Sequence, residues 1–264
     1  MNTPKHVLIS GIALLSVGLS AAFASAPPLP RATPEAVGLS RERLQRIDVR
    51  IDEAIRTGRS AGAVVVIARH GRLAYEKAYG VADQASGQPM HTDQYFRLYS
   101  MTKPVTAAAL LSLFEQGKFQ LSDPLSKYLP AFANVQVYAG ENADGSPRYA
   151  APSRPITIED VFRHTAGFVY GIFGDTPVDR AYRTAQIDYA HSESVGQMTE
   201  QIAGMPLVAD PGTRWVYSFA ADVQAHLVEV FSGQSFESYE IGRATSELQS
   251  HLNLVCRLLL EKKK

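Results

Sequence analysis

Apolar residues along this chain fall into two spacings, one helical and one extended. Leu44, Ile47, Ile51 and Ile55 recur three or four apart, which puts them on one helix face. Ser40 can cap that helix and Gly58 can stop it, so a helix is predicted to about Thr57. The unbroken apolar run Ala63–Ala68 predicts a buried strand. Residues 73–79 alternate as its partner across a tight turn at His70-Gly71. A third segment, Val105 to Gln116, is apolar nearly all round and stops at Gly117, which predicts a buried central helix. Pro104 fits a helix only near its start, so this helix begins close to Ser100.

Further on the pattern weakens. Residues 121–130 read as a short turn-bounded helix. The stretch from Asn134 to Pro155 is rich in turn formers, with a small hairpin at Asp144-Gly145. A helix opens at Thr157 or Ile158 and ends at His164–Gly167, and 206–217 is loop and extended chain. Asp222 to Ser232 predicts a helix with Val223, Leu227, Val230 and Phe231 on one face, closed by Gly233. From Glu240 to Lys264 an amphipathic helix is predicted, with Leu248, Leu252, Val255 and Leu259 aligned and lysines at its end.

The first 26 residues carry the marks of a secretory leader. Lys5 is a short basic start, Val7 to Phe23 is apolar, and Ala24-Ser25-Ala26 fits a small-residue cleavage site. The remainder is then expected in the periplasm or outside the cell. With 264 residues, 45% of them hydrophobic, the chain can bury a sizeable core. Its 26 basic and 26 acidic residues cancel, which excludes the basic excess of a nucleic-acid binder. The lone Cys256 forms no internal disulfide, and the seven histidines show no ligand spacing, so no metal and no cofactor are expected.

The candidate chemistry is at Ser100-Met101-Thr102-Lys103. Serine and lysine three apart share a helix face. Serine is a weak nucleophile that needs a neighbouring base, and a lysine whose pKa is lowered by partial burial can be that base. Alone the motif is unspecific: 21 serines and 8 lysines give about 0.6 such matches by chance in a chain of this composition, and there is one. His164 raises a rival Ser-His-Asp arrangement, but no G-x-S-x-G elbow accompanies it.

Context makes the motif specific. Phe96–Thr106 around the S-x-x-K, Gly117-Lys118, Leu121–Pro130, Ile156–Ile158, His164-Thr165-Ala166-Gly167, Pro211–Ser218 and Glu229–Gly233 together resemble the serine β-lactamase and penicillin-binding-protein superfamily. The likeness is greatest to its β-lactamase-like esterases, the family VIII carboxylesterases, and covers roughly residues 40 to 240. The resemblance implies an α/β (α+β) fold of the β-lactamase/transpeptidase type: an antiparallel sheet with flanking helices beside a helical subdomain, the site between them. It implies Ser100 as nucleophile, Lys103 as its activating partner and Tyr217 as the tyrosine that moves protons. It implies a small-molecule ester as substrate, with β-lactam hydrolysis or D-alanyl-D-alanine carboxypeptidase activity as the alternatives.

Two departures qualify the likeness. Phe219 stands where β-lactamases of this type carry Asn, which favours short-chain esters. No Lys-Thr-Gly, His-x-Gly or Trp-x-Gly triplet follows Tyr217, so the strand that supplies the second oxyanion donor in the family has no counterpart. The expected organisation is therefore a leader at 1–26, a partial hydrolase domain at 27–240 with an incomplete sheet, and a helical tail at 241–264 foreign to the family. A C-terminally truncated chain without activity is the remaining alternative.

Overall fold

The computed structural model describes residues 29–188 and 190–240. The leader and the amphipathic tail expected beyond Glu240 lie outside the described residues. Helix α1 (Arg41–Arg56) starts at Ser40, whose side chain accepts from the Arg43 amide. It leads into β1 (Gly62–Arg69), which pairs antiparallel with β2 (Arg72–Asp83) through the His70-Gly71 turn. Both turn residues take positive φ, the geometry a two-residue hairpin loop requires. A two-residue β3 (Gln88–Pro89) adds to the far edge, giving the order β1-β2-β3. On α1, Asp48 accepts from the Tyr75 and Tyr79 hydroxyls at 3.0 and 2.7 Å and pairs with Lys77 at 2.5 Å, fastening helix to sheet.

The run 63–68 is a strand as expected, but it is half-buried rather than buried. Among the described residues one edge of β1 has no partner strand, and one pairing surface of an apolar run stays open.

The rest of the described chain is a helical body. Helix α2 (Lys103–Glu115) packs along α6 (Ala220–Ser232), and α5 (Val195–Ala203), α3 (Ile158–Phe162) and α7 (Phe236–Tyr239) pack on α6 in turn. A β4 (Val137–Glu141) and β5 (Pro147–Ala150) hairpin and α4 (Pro177–Thr184) complete it. Leu110, Leu113, Phe119, Val161, Met198, Leu207 and Leu227 are at most 2% exposed and belong to one continuous core. That core runs from Ala109 to Tyr239 and takes no residue from the three-stranded sheet.

Sequence expectations at α2 and 121–130 are corrected. Leu111 is 42% exposed, so α2 buries one side only, through Val105, Ala109, Leu110 and Leu113. The segment 121–130 makes one short 3-10 turn, Leu125–Lys127, instead of a helix, and a second turn, Pro130–Asn134, only begins at its end, because Pro124 and Pro130 each lack the amide a continuous helix needs. The helices α4 and α5 fall in a stretch, 168–205, to which the periodicity assigns no element. Both are recognisable afterwards from their caps: Thr176 forms a reciprocal capping box with Asp179, and Ser194 accepts from the Gln197 amide.

Candidate active site

Ser100 lies in a 3-10 turn, Tyr99–Thr102, that feeds directly into α2. Its neighbour Tyr99 takes a φ of 48°, a left-handed conformation that a side chain this large rarely adopts. Strain of that kind persists only where the surroundings enforce it, and here it sits beside Ser100. The turn presents the exposed Ser100 hydroxyl to Lys103, whose Nζ donates to Ser100 Oγ at 3.3 Å.

Tyr217 reaches the same oxygen from 117 positions away, its hydroxyl 2.7 Å from Ser100 Oγ. What aims it is the loop after α3. Asp160 closes a capping box with Thr157, receives both guanidinium nitrogens of Arg154 at 2.6 and 2.9 Å, and accepts from the Thr165 hydroxyl at 3.0 Å. The loop is then laced to the incoming chain by backbone bonds from Val208 to Gly167, Gly212 to Thr165 and Val216 to His164, each 2.8 Å. Two glycines make the approach possible. Gly167 at φ +90° passes so close to Ala209 that a Cβ would lie 2.5 Å from its carbonyl oxygen. Gly212 at φ +83° leaves no room for a Cβ beside the Arg154 guanidinium. The His-Thr-Ala-Gly and Pro-Gly-Thr signatures are thus two halves of one brace, and Tyr217 is the first side chain beyond it that faces the serine.

The electrostatics correct one expectation. Burial does pull the Lys103 ammonium toward a lower pKa, but the phenol oxygens of Tyr217 and Tyr170 outweigh it and hold Lys103 above its ordinary value. That direction favours the charged form of Lys103. Tyr217 moves the other way: its hydrogen bond to Ser100, joined by its interaction with Lys103, outweighs burial and lowers the phenol below its usual value of 10. Lys103 Nζ sits 4.9 Å from the Tyr217 ring centre and 5.5 Å from that of Tyr170.

Tyr170 and Asp222 belong to this cluster and escape the sequence reading. Tyr170 packs 5.4 Å from Tyr217, and burial raises its phenol, keeping it protonated. Asp222, in the first turn of α6, is 7% exposed, and burial pushes its carboxyl up to about 7 against the opposing pull of Lys103. The signal for Asp222 was a carboxylate five residues after Tyr217, at the start of a helix with an apolar face. For Tyr170 no signal existed, since an aromatic near a loop is ordinary core material.

His164 is adjacent but differently employed. Its Nδ1 lies 3.4 Å from the buried Ser218 hydroxyl, its ring packs 5.2 Å from that of Tyr217, and its carbonyl anchors Val216. Burial and the Lys103 charge lower its pKa, leaving a neutral ring with no carboxylate behind it among the described residues. A Ser-His-Asp relay is not built here.

Comparison with known proteins agrees with this geometry. The esterase EstB of Burkholderia gladioli is 36% identical over 192 residues, covering 72% of this chain and 45% of EstB. A putative D-alanyl-D-alanine carboxypeptidase of Escherichia coli K12 is 29% identical over 243 residues, covering 86% of this chain and 50% of that protein. The structure of EstCE1, a hydrolase with promiscuous acyltransferase activity, superposes with a TM-score of 0.63 at 33% identity over 75% of this chain and 49% of EstCE1. The chain thus spans about half the length of these relatives. The fold is β-lactamase/transpeptidase-like, mixed helices with antiparallel sheet. A family model described as Beta-lactamase matches residues 47–243, a span that holds Ser100, Lys103, Tyr170 and Tyr217 together, and on that match this chain belongs to the Beta-lactamase family of serine hydrolases.

Proposed function

We propose that this chain hydrolyses short-chain carboxylic esters through an acyl-enzyme on Ser100. The observation that carries the reading is the convergence of Lys103 and Tyr217, distant in sequence, on one serine oxygen. The Lys103 cation favours the Tyr217 phenolate, which takes the Ser100 proton as Oγ attacks the ester carbonyl. Collapse of the tetrahedral adduct breaks the bond to the alkoxy oxygen, and Tyr217 returns the proton to the departing alcohol. In the second half Tyr217 takes a proton from water, the hydroxide attacks the acyl-serine, and the carboxylic acid leaves with Ser100 reprotonated.

The carboxypeptidase-like relative supports β-lactam or D-alanyl-D-alanine substrates as a second reading. Phe219 weighs against it, since an apolar ring two residues after Tyr217 offers an amide substrate no hydrogen bond. The sequence after Tyr217 contains no third-motif triplet to supply a second oxyanion donor, so the activity of this half-length chain is itself part of the proposal. We also propose export through the leader with cleavage after Ala26, which N-terminal sequencing of the expressed protein checks.

The deciding experiment is p-nitrophenyl butyrate hydrolysis by the chain from Pro27 beside Ser100→Ala. Turnover that disappears in the variant supports the proposal. Equal rates in the two proteins would mean that the chain is an inactive portion of a hydrolase.

A further inference from the structure

Beside the catalytic cluster lies a cavity of about 460 Å³, walled by Tyr170, Ile172, Tyr182, Ile187 and Phe219. One of its walls, Tyr170, is shared with the active site, and a second, Phe219, packs directly on it. The Tyr170 ring is 5.5 Å from Lys103 Nζ and 5.4 Å from the Tyr217 ring, and it also packs against Phe219 at 4.4 Å and Phe173 at 5.8 Å. Phe219 in turn stacks on Tyr182 at 6.3 Å, at an interplanar angle of 9°. Tyr182, Ile187 and Phe219 are all at most 5% exposed, so the wall is set by the core.

The charges at its edge are already engaged. Arg183 donates to the carbonyls of Gly171 and Gly174 and pairs with Asp175. Asp188 accepts from the amides of Ala190 and His191 at 2.8 and 3.0 Å and pairs with the His191 ring at 2.7 Å. Among the described residues the cavity therefore presents rings, aliphatic carbon and the Gln186 amide, with no free charge to hold an ionic group, and its size is that of a small-molecule site.

We infer that this cavity receives the acyl chain of the substrate ester, and that Tyr170 and Phe219 guide the chain into it; the inference rests on the ester-hydrolase reading above. The acyl group, rather than the alcohol, is the occupant because it stays bound to Ser100 while water attacks and gains most from an apolar wall. The alcohol must depart, and Ser100 opens to solvent on the side where Tyr99, Met101 and Trp215 are 65–79% exposed. At about 30 Å³ for each heavy atom, the share a water takes in the liquid, an eight-carbon chain needs about 240 Å³, which the cavity holds. Each methylene buried is worth about fourfold, equivalent to about 0.8 kcal/mol.

The test is a chain-length series of p-nitrophenyl esters, from acetate to decanoate, on the wild type and on two wall variants. Ile187→Trp fills the cavity from its buried side. Ile172→Asp places a charge at the rim, where the side chain is 71% exposed and the core is not disturbed. The expected result is a kcat/KM at least tenfold higher for hexanoate than acetate, with hexanoate lowered at least tenfold in both variants and acetate within threefold. Superimposable chain-length profiles in all three proteins would overturn the inference while leaving ester hydrolysis standing. Binding of methyl octanoate against methyl acetate to the Ser100→Ala chain, read by ligand-observed NMR, decides the matter without turnover. Tighter binding of the octanoate, lost in Ser100→Ala/Ile172→Asp, supports the cavity. Equal binding of the two esters rejects it even if no ester is hydrolysed.

Discussion

At the scale of single residues, the proposed mechanism separates charge from proton transfer. In it Lys103 holds a positive charge and Tyr217 the exchangeable proton. The Tyr217 and Tyr170 phenol oxygens raise the ammonium, while the Ser100 hydrogen bond first, and Lys103 after it, lower the Tyr217 phenol. Tyr217→Phe is expected to reduce kcat on p-nitrophenyl butyrate by about 10²–10⁴-fold, the usual contribution of a positioned acid–base group, with little change in KM. In the wild type, kcat/KM should rise with pH through an ionisation below 10, and that inflection should be missing from the residual rate of Tyr217→Phe. Asp222 makes a second pH prediction. Its folded pKa, about 7, lies above the ordinary 3.8, so folded and unfolded chains are both protonated at low pH and its burial then costs little. As pH rises from about 4 to about 7 the unfolded carboxyl ionises first, and this group's stabilisation is lost. Asp222→Asn, which cannot ionise, should match the wild type in Tm near pH 4 and exceed it near pH 8. A Tm difference independent of pH would show that Asp222 is not the buried acid described. Ser100 and Lys103 were legible as residues because their spacing encodes their geometry. The direction of the lysine's shift was not, since it depends on two tyrosines distant in sequence.

At the scale of elements, the brace between the loop after α3 and the segment before α6 carries the site. Its glycines occupy a region of φ that strains any other residue, and both lack room for a methyl group. Gly212→Ala should cost about 1–3 kcal/mol, visible as a lowered Tm, and should depress activity further than the stability loss explains because Tyr217 loses its aim. Normal kcat in a destabilised Gly212→Ala would separate the brace from the positioning of Tyr217. The helices α1, α3 and α6 were readable from caps, stops and apolar spacing. Where prolines divide the chain into single turns at 121–130, periodicity has too few residues to report, and side-chain caps at α4 and α5 mattered more than pattern.

At the scale of the whole molecule, the continuous core belongs to the helical body, while the β1–β2 hairpin is only half-buried and held to α1 by the Asp48 cluster. Local stability follows buried apolar contact, so amides of β1 and β2 should exchange hydrogen well before those of α2 and α6. Equal protection across the two regions, measured by exchange and mass spectrometry, would mean that sheet and body open as one unit. Among the described residues, no helix is long and apolar enough to cross a membrane. The sequence by itself determined the hairpin, the principal helices, the pairing of Ser100 with Lys103, and Tyr217 as a candidate partner once its flanking motif was recognised. Those features are local: they follow from periodicity, caps, turn residues and short fixed spacings. Only the tertiary structure decided that the charged form of Lys103 is favoured, that Tyr170 and Asp222 join the cluster, and that an apolar cavity opens behind Tyr170 and Phe219. Each of these depends on burial and on contacts between segments about 50 to 120 residues apart, which no local pattern records.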